Sequence, residues 1–115
     1  PGLEQAEIVR YGVMHRNSFI DSPAAGCGFA LRSHPNISLP GQITGVEGYM
    51  ESAMSGILAG RNAVRRAEGK PTGCPNGETM GGALTRYISD ESVKHFQPMG
   101  ANFGILPPME PKISR

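Results

Sequence analysis

Apolar residues in this chain come in short, interrupted groups, and only one stretch sustains a helical pattern. From Gly48 to about Glu68, GYMESAMSGILAGRNAVRRAE contains no proline and ends at Gly69 with Pro71 beyond, the signature of a C-cap followed by a stop. Tyr49, Met54, Ile57, Leu58 and Val64 supply bulk, while Ser52, Gly56, Gly60 and Ala63 place a small residue on nearly every turn. A glycine inside a helix costs about 1 kcal/mol relative to alanine, so another element is expected to approach the Gly56/Gly60 face closely. Arg61, Arg65 and Arg66 gather in the last turns, where cations suit the negative end of the helix dipole, and read as a solvated face.

The other elements are shorter. Ala6 to Val13, AEIVRYGV, is a strand candidate running into the polar MHRNSF, which would leave His15, Arg16 and Asn17 exposed at its end. Asp21 to Gly28 reads as a loop, and Phe29 to Leu31 is too short to assign. Asn36 to Leu39, NISL, follows His34-Pro35 and alternates apolar with polar side chains, which predicts a short buried strand closed by Pro40. Beyond the long helix, Lys70 to Glu78 is a loop and Thr79 to Ile88 a second short helix. Prolines at 98, 107, 108 and 111 make the remainder an irregular tail expected to lie on a larger body. A strand, a glycine turn and a long helix in that order are compatible with an open α/β sheet.

Composition changes this picture in one respect. Of 115 residues 38% are apolar, and 16 are Gly and 10 Pro, so turns are many and the core is thin. The chain opens at Pro1 and passes at once into apolar residues, which reads as a cut end and leads us to expect part of a larger protein. A net charge of +1 argues against nucleic-acid recognition by bulk charge, without bearing on RNA binding by a larger parent. Cys27 and Cys74 lie far apart in sequence with no CxxC, and only His15, His34 and His95 offer imidazole. Neither a disulfide framework nor a metal site is therefore expected, and the cysteines read as reduced thiols of a cytoplasmic protein. No apolar run is long enough to span a membrane, and no basic start followed by a hydrophobic segment supports a secretory signal.

The glycine turn GQITGVEGY, Gly41 to Tyr49, is where chemistry would be found. In open α/β sheets ligands bind beyond the strand ends, where helix N-termini present unpaired N–H groups. Gly41, Gly45 and Gly48 would let bare backbone approach an anionic or carbonyl-bearing cofactor, and Gln42 and, more weakly, Thr44 could hydrogen-bond a sugar or ribitol hydroxyl. Glu47 is expected to cap the first helical turn. The spacing alone fits a purely structural turn as well.

The wording of three segments is more specific than their pattern. RYGVMHRNSFIDSP (Arg10 to Pro23), PNISLPGQITGVEGYMESAMSGILAGRNA (Pro35 to Ala63) and HFQPMGANFGILPP (His95 to Pro108) resemble the bacterial folate- and FAD-dependent tRNA (uracil-5-)-methyltransferase family, itself related to the glucose-inhibited division protein A family. The resemblance runs from Pro1 to Pro108 and matches the C-terminal quarter or so of such a protein.

The resemblance implies an α/β fold in which the chain is the C-terminal fragment of a Rossmann-type FAD-binding domain. Residues 1–34 would return from an insertion domain, residues 35–69 would supply strand, glycine turn and helix, and residues 70–115 a short helix and irregular tail. It also implies FAD contact by Gly41, Gln42, Ile43, Thr44, Gly45, Val46, Glu47, Gly48 and Tyr49, with Gln42 near the ribitol or flavin and the amides of Gly45 to Tyr49 facing the flavin. His15, Arg16 and Asn17 match the family's YGVMHRN motif and would either line the cleft or hold a turn.

The implied chemistry is transfer of the one-carbon unit of 5,10-methylenetetrahydrofolate to C5 of a T-loop uridine in tRNA, using FAD reduced by NAD(P)H. No catalytic residue falls in this chain, and the fragment alone is expected to be inactive. Implied partners are tRNA, through the intact protein, and the remainder of the FAD-binding domain; without the latter, self-association is expected. Two other readings are a division-protein-type FAD-dependent tRNA-modifying enzyme and a non-catalytic scaffold or RNA-binding module. Departures from the family pattern fall at Ser38-Leu39-Pro40, at Gly100 and across Ala24 to Arg32.

Overall fold

The computed structural model describes residues 1–9, 12, 17–20 and 24–108. Two helices organise it: α1, Tyr49–Ala67, and α2, Met80–Ser89, with 3-10 turns at Gly41–Thr44 and Phe103–Ile105. Helix α1 begins and ends within a residue of the span its sequence pattern predicts. It buries Ser55, Leu58, Ala59 and Asn62, one stripe at helical spacing. Helix α2 turns Ala83, Leu84 and Ile88 inward. The two stripes meet Phe29, Val46 and Phe96 in one small core.

Helix α2 starts where its sequence provides a cap. The Thr79 hydroxyl accepts the Gly82 N–H at 3.0 Å, satisfying one of the amides that lack a helical partner. Thr79→Ala is expected to lower stability by about 1 kcal/mol, measured as a shift in the denaturation midpoint.

Strand structure is scarcer than expected. Among the described residues there are only isolated bridges: Ala25 with Leu31 and Ala30 with Ser38, both antiparallel, and Val46 with Met99, parallel. At NISL the pairing consists of Leu31 N–H to Ile37 carbonyl and Leu39 N–H to Phe29 carbonyl, each 2.9 Å. It stops because Pro40 has no N–H to continue the ladder, and Ile37 is left 43% exposed. Residues 6–9 of the earlier strand candidate form no strand, with Val9 89% exposed; Arg10, Tyr11 and Val13 lie outside the described residues.

Two further expectations are corrected. No described atom lies within 4 Å of a Cβ built at Gly56 or Gly60, so among the described residues nothing packs there. Cys27 and Cys74, expected as separate thiols, are disulfide-bonded, with their Cα atoms 5.6 Å apart. The tight turn at Gly26, closed by the Phe29 N–H on the Gly26 carbonyl at 2.8 Å, folds onto α1 where the α1–α2 loop returns. Sequence separation carried no information about that return.

The molecule leaves much of itself in water. Its accessible surface is 8851 Å², whereas a monomeric globular protein of 12.2 kDa exposes roughly 6,000 Å². Its radius of gyration is 17.8 Å, against about 13 Å for a compact domain of this length. Met50, Ile57 and Val64 on α1 are 80%, 74% and 59% exposed, which marks this helix face as uncovered apolar surface.

Candidate functional site

The glycine turn is fastened to α1 from below. The Gly41 N–H donates to the Ser55 hydroxyl at 2.9 Å, and that hydroxyl donates to the Ser52 carbonyl at 2.7 Å. Within the turn, the Thr44 hydroxyl donates to the Gly41 carbonyl at 2.9 Å and the Gly45 N–H to the Gln42 carbonyl at 3.0 Å. Gly45 then takes a left-handed conformation, φ +84°, as the turn's C-cap. Its bare Cα lies on the Phe96 ring, which a Cβ would strike. Phe96 in turn sits against Phe19 and Tyr87, with ring centroids 5.9 and 5.4 Å away. One residue from each of the three segments singled out in the sequence therefore meets at this point: Phe19, Gly45 and Phe96.

The tail motif runs alongside the turn. The Met99 N–H donates to the Gly45 carbonyl and the Glu47 N–H to the Met99 carbonyl, both at 3.0 Å. Glu51, in the first turn of α1, accepts the Ala101 N–H at 3.1 Å, clamping the tail to the helix N-terminus. Glu47, the residue expected to cap the helix, instead spends its backbone on the tail. The Gly48 cap position carries no side-chain hydrogen bond.

Above this frame lies a cavity of about 440 Å³ lined by Asn17, Gln42, Gly48, Tyr49 and Ser52. Asn17 belongs to a segment held by the Ile20 N–H, which donates to the Ile43 carbonyl at 2.8 Å. Of the nine residues expected at a cofactor, three line the cavity: Gln42, Gly48 and Tyr49. Thr44, Gly45 and Val46 are buried beneath it, Ile43 anchors Ile20 through its carbonyl, and Gly41 and Glu47 have their amides engaged as described. His15 and Arg16 lie outside the described residues. Ser52 was read as part of a small-residue face and Ser55 was not singled out; their spacing of three, opposite a glycine turn, was the signal that they face it.

Among the described residues that line the cavity none is charged. Gly48 has φ +104° and ψ 147°, a combination essentially reserved for glycine, so the wall there is bare backbone. The amides of Tyr49, Met50 and Glu51 open α1 and have no partner within the helix. Since Gly45 and Glu47 N–H are consumed internally, the free donors are those of the helical turn itself. Two exposed carboxyls are held below the usual range, Glu4 chiefly by its own backbone amide and Asp90 chiefly by the Ser92 hydroxyl, and neither lines the cavity. The described lining offers neutral donors and acceptors beside a helix N-terminus, where unpaired N–H groups favour a negatively polarised partner. Among the described residues no cluster of His, Cys, Asp or Glu is placed to hold a metal ion, and no helix is long and apolar enough to cross a membrane.

A glycine turn pinned to a helix N-terminus, with a cavity above it, is the frame into which family membership fits. Residues 1–71 match the family model described as glucose inhibited division protein A, and the chain belongs to that family. More particular relatives extend the match through the tail. The chain is 58% identical over 114 residues to the Methylenetetrahydrofolate--tRNA-(uracil-5-)-methyltransferase TrmFO of Syntrophomonas wolfei, covering 98% of this chain and 26% of the relative. The proteins of the same name from Natranaerobius thermophilus and Streptococcus agalactiae are 52% and 56% identical, covering 100% and 96% of this chain. The chain spans about a quarter of the length of these curated relatives.

Proposed function

We propose that this chain is the flavin-facing end of an FAD-binding domain of Rossmann type, in a protein that methylates C5 of a T-loop uridine in tRNA from 5,10-methylenetetrahydrofolate. The observation carrying this reading is the convergence of Asn17, Gln42, Gly48, Tyr49 and Ser52, drawn from two separate sequence motifs, on one cavity at the N-terminus of α1. A cavity of about 440 Å³ with a few convergent polar groups has the size and lining of a cofactor site. The residues present fit the isoalloxazine edge: Gln42 and Asn17 can donate and accept, and the first-turn amides of α1 favour negative charge. FAD, when bound and reduced by NAD(P)H, would supply the reducing equivalents that convert a methylene unit to a methyl group.

Within that protein this chain binds and orients. Gln42 and the α1 amides hold the ring edge, Gly48 keeps the wall flat, and Glu51 with the tail fixes the helix N-terminus. No residue of the chain is assigned a catalytic role. The uncovered face of α1 around Gly56 and Gly60 fits the remainder of the FAD-binding domain, and the extra accessible surface is of the size such a partner would cover. A cytoplasmic location follows from the tRNA substrate. The division-protein branch of the family is the second reading. It is less favoured because relatives named as the methyltransferase match beyond residue 71, through the whole tail that builds the site's frame.

The activity is tested by incubating the full-length protein with FAD, NAD(P)H, labelled methylenetetrahydrofolate and tRNA lacking the T-loop methyl group. Label is expected at uracil C5, dependent on FAD. FAD binding with no label in tRNA would remove the methyltransferase and leave the flavin site standing. Gln42→Ala is expected to weaken FAD binding about tenfold, the loss of one cofactor hydrogen bond, measured by titration of flavin fluorescence.

A further inference from the structure

We propose that Cys27 and Cys74 form a thiol–disulfide exchange site, opened by a low-molecular-weight thiol and closed by the corresponding disulfide. This rests on geometry independent of the cavity described above. The Cα separation of 5.6 Å lies within the range that a disulfide spans without backbone movement. Cys74 is exposed and Cys27 half-buried, so an incoming thiol reaches the Cys74 sulfur first. Cys74 also borders a groove of about 570 Å³ with Met54, Ile57 and Arg61, which gives a small anionic thiol both room and a positive charge.

The neighbourhood holds the two cysteines together without using their sulfurs. Asn62, 1% exposed, donates from Nδ2 to the Gly73 carbonyl at 2.8 Å and accepts the Gly73 N–H on Oδ1 at 3.0 Å. Gly28 packs directly on the same amide, since a Cβ there would lie 2.6 Å from Nδ2. One buried side chain therefore fixes the residue after Cys27 and the residue before Cys74. Once reduced, the thiols remain neighbours, and re-closure is an intramolecular step with a high effective concentration.

The exchange balances in two steps. A thiolate attacks Cys74 Sγ; a bond forms between the two sulfurs, the Cys74–Cys27 bond breaks, and Cys27 leaves with the electron pair and takes a proton from solvent. A second thiolate attacks the small-molecule sulfur of that mixed disulfide, releasing the small-molecule disulfide and Cys74 as a thiolate that takes the second proton from solvent. The protein gains two electrons and two protons, supplied by two thiols. The reverse sequence, driven by the disulfide, restores the link between the Gly26 turn and the α1–α2 loop.

The test equilibrates the native full-length protein with defined ratios of reduced and oxidised glutathione, quenches with acid, alkylates free thiols and maps tryptic peptides. Cys27 falls in peptide 17–32 and Cys74 in peptide 67–86, Lys70 being protected by Pro71. A linked 17–32/67–86 pair is expected, its fraction following the glutathione ratio, with the Cys27→Ser variant accumulating the glutathione adduct on Cys74. Asn62→Ala is expected to slow re-closure several-fold and so raise the share of mixed disulfide. Two separately alkylated peptides at every ratio would overturn the pairing. A link that persists under excess reduced glutathione, or an adduct confined to Cys27 in the wild-type protein, would overturn the exchange at Cys74.

Discussion

Gly45→Ala is expected to lower stability by about 3 kcal/mol. Two independent penalties meet at that residue. Its φ of +84° is a left-handed conformation, which costs an L-residue about 1–2 kcal/mol. Its Cα also rests on the Phe96 ring, so the added methyl group must displace a side chain wedged between Phe19 and Tyr87. Overpacking of that kind adds about 1–3 kcal/mol. Denaturant unfolding of the full-length protein and of its Gly45→Ala variant checks it.

Gly48→Ala is expected to weaken FAD binding about a hundredfold with a smaller change in stability. At φ +104° and ψ 147° a non-glycine residue is strained by about 1–3 kcal/mol, and the new methyl group would occupy the position of the Glu51 carboxylate. Glu51 would then release the Ala101 N–H, and the first turn of α1 would lose both its bare wall and its clamp. Glu51→Gln separates the two causes: its amide oxygen can still accept from Ala101, so it should retain most of the affinity that Gly48→Ala loses. Flavin fluorescence titration across the three proteins measures this directly. Equal affinity in wild type and Gly48→Ala would show that the cavity wall does not touch the cofactor.

Both helices were legible because their signals are local. Thr79 capping, the proline-free run from Gly48 and the stop at Gly69-Pro71 depend on neighbours in sequence, and α1 and α2 appear within a residue of their expected ends. The three glycines of GQITGVEGY were legible as special positions, and all three have positive φ. Pairing was not legible. NISL has a strand's alternation, but a strand is completed by partners, and the described residues offer it one rung between prolines. The same limit hid the contact of Cys27 with Cys74 and the role of the tail, whose Met99 and Ala101 build the frame of the site from about fifty residues downstream of the glycine turn. Gly56 and Gly60 were read for close packing that the described residues do not supply; their open face is what the FAD-domain proposal would fill.

The central claim is that the N-terminus of α1 meets the flavin ring. A crystal structure of the full-length protein with FAD tests it most directly. The isoalloxazine edge should lie within hydrogen-bond distance, about 3 Å, of the Gln42 amide or of a first-turn amide among Tyr49, Met50 and Glu51. A flavin bound with no contact to residues 41–52 would contradict the account.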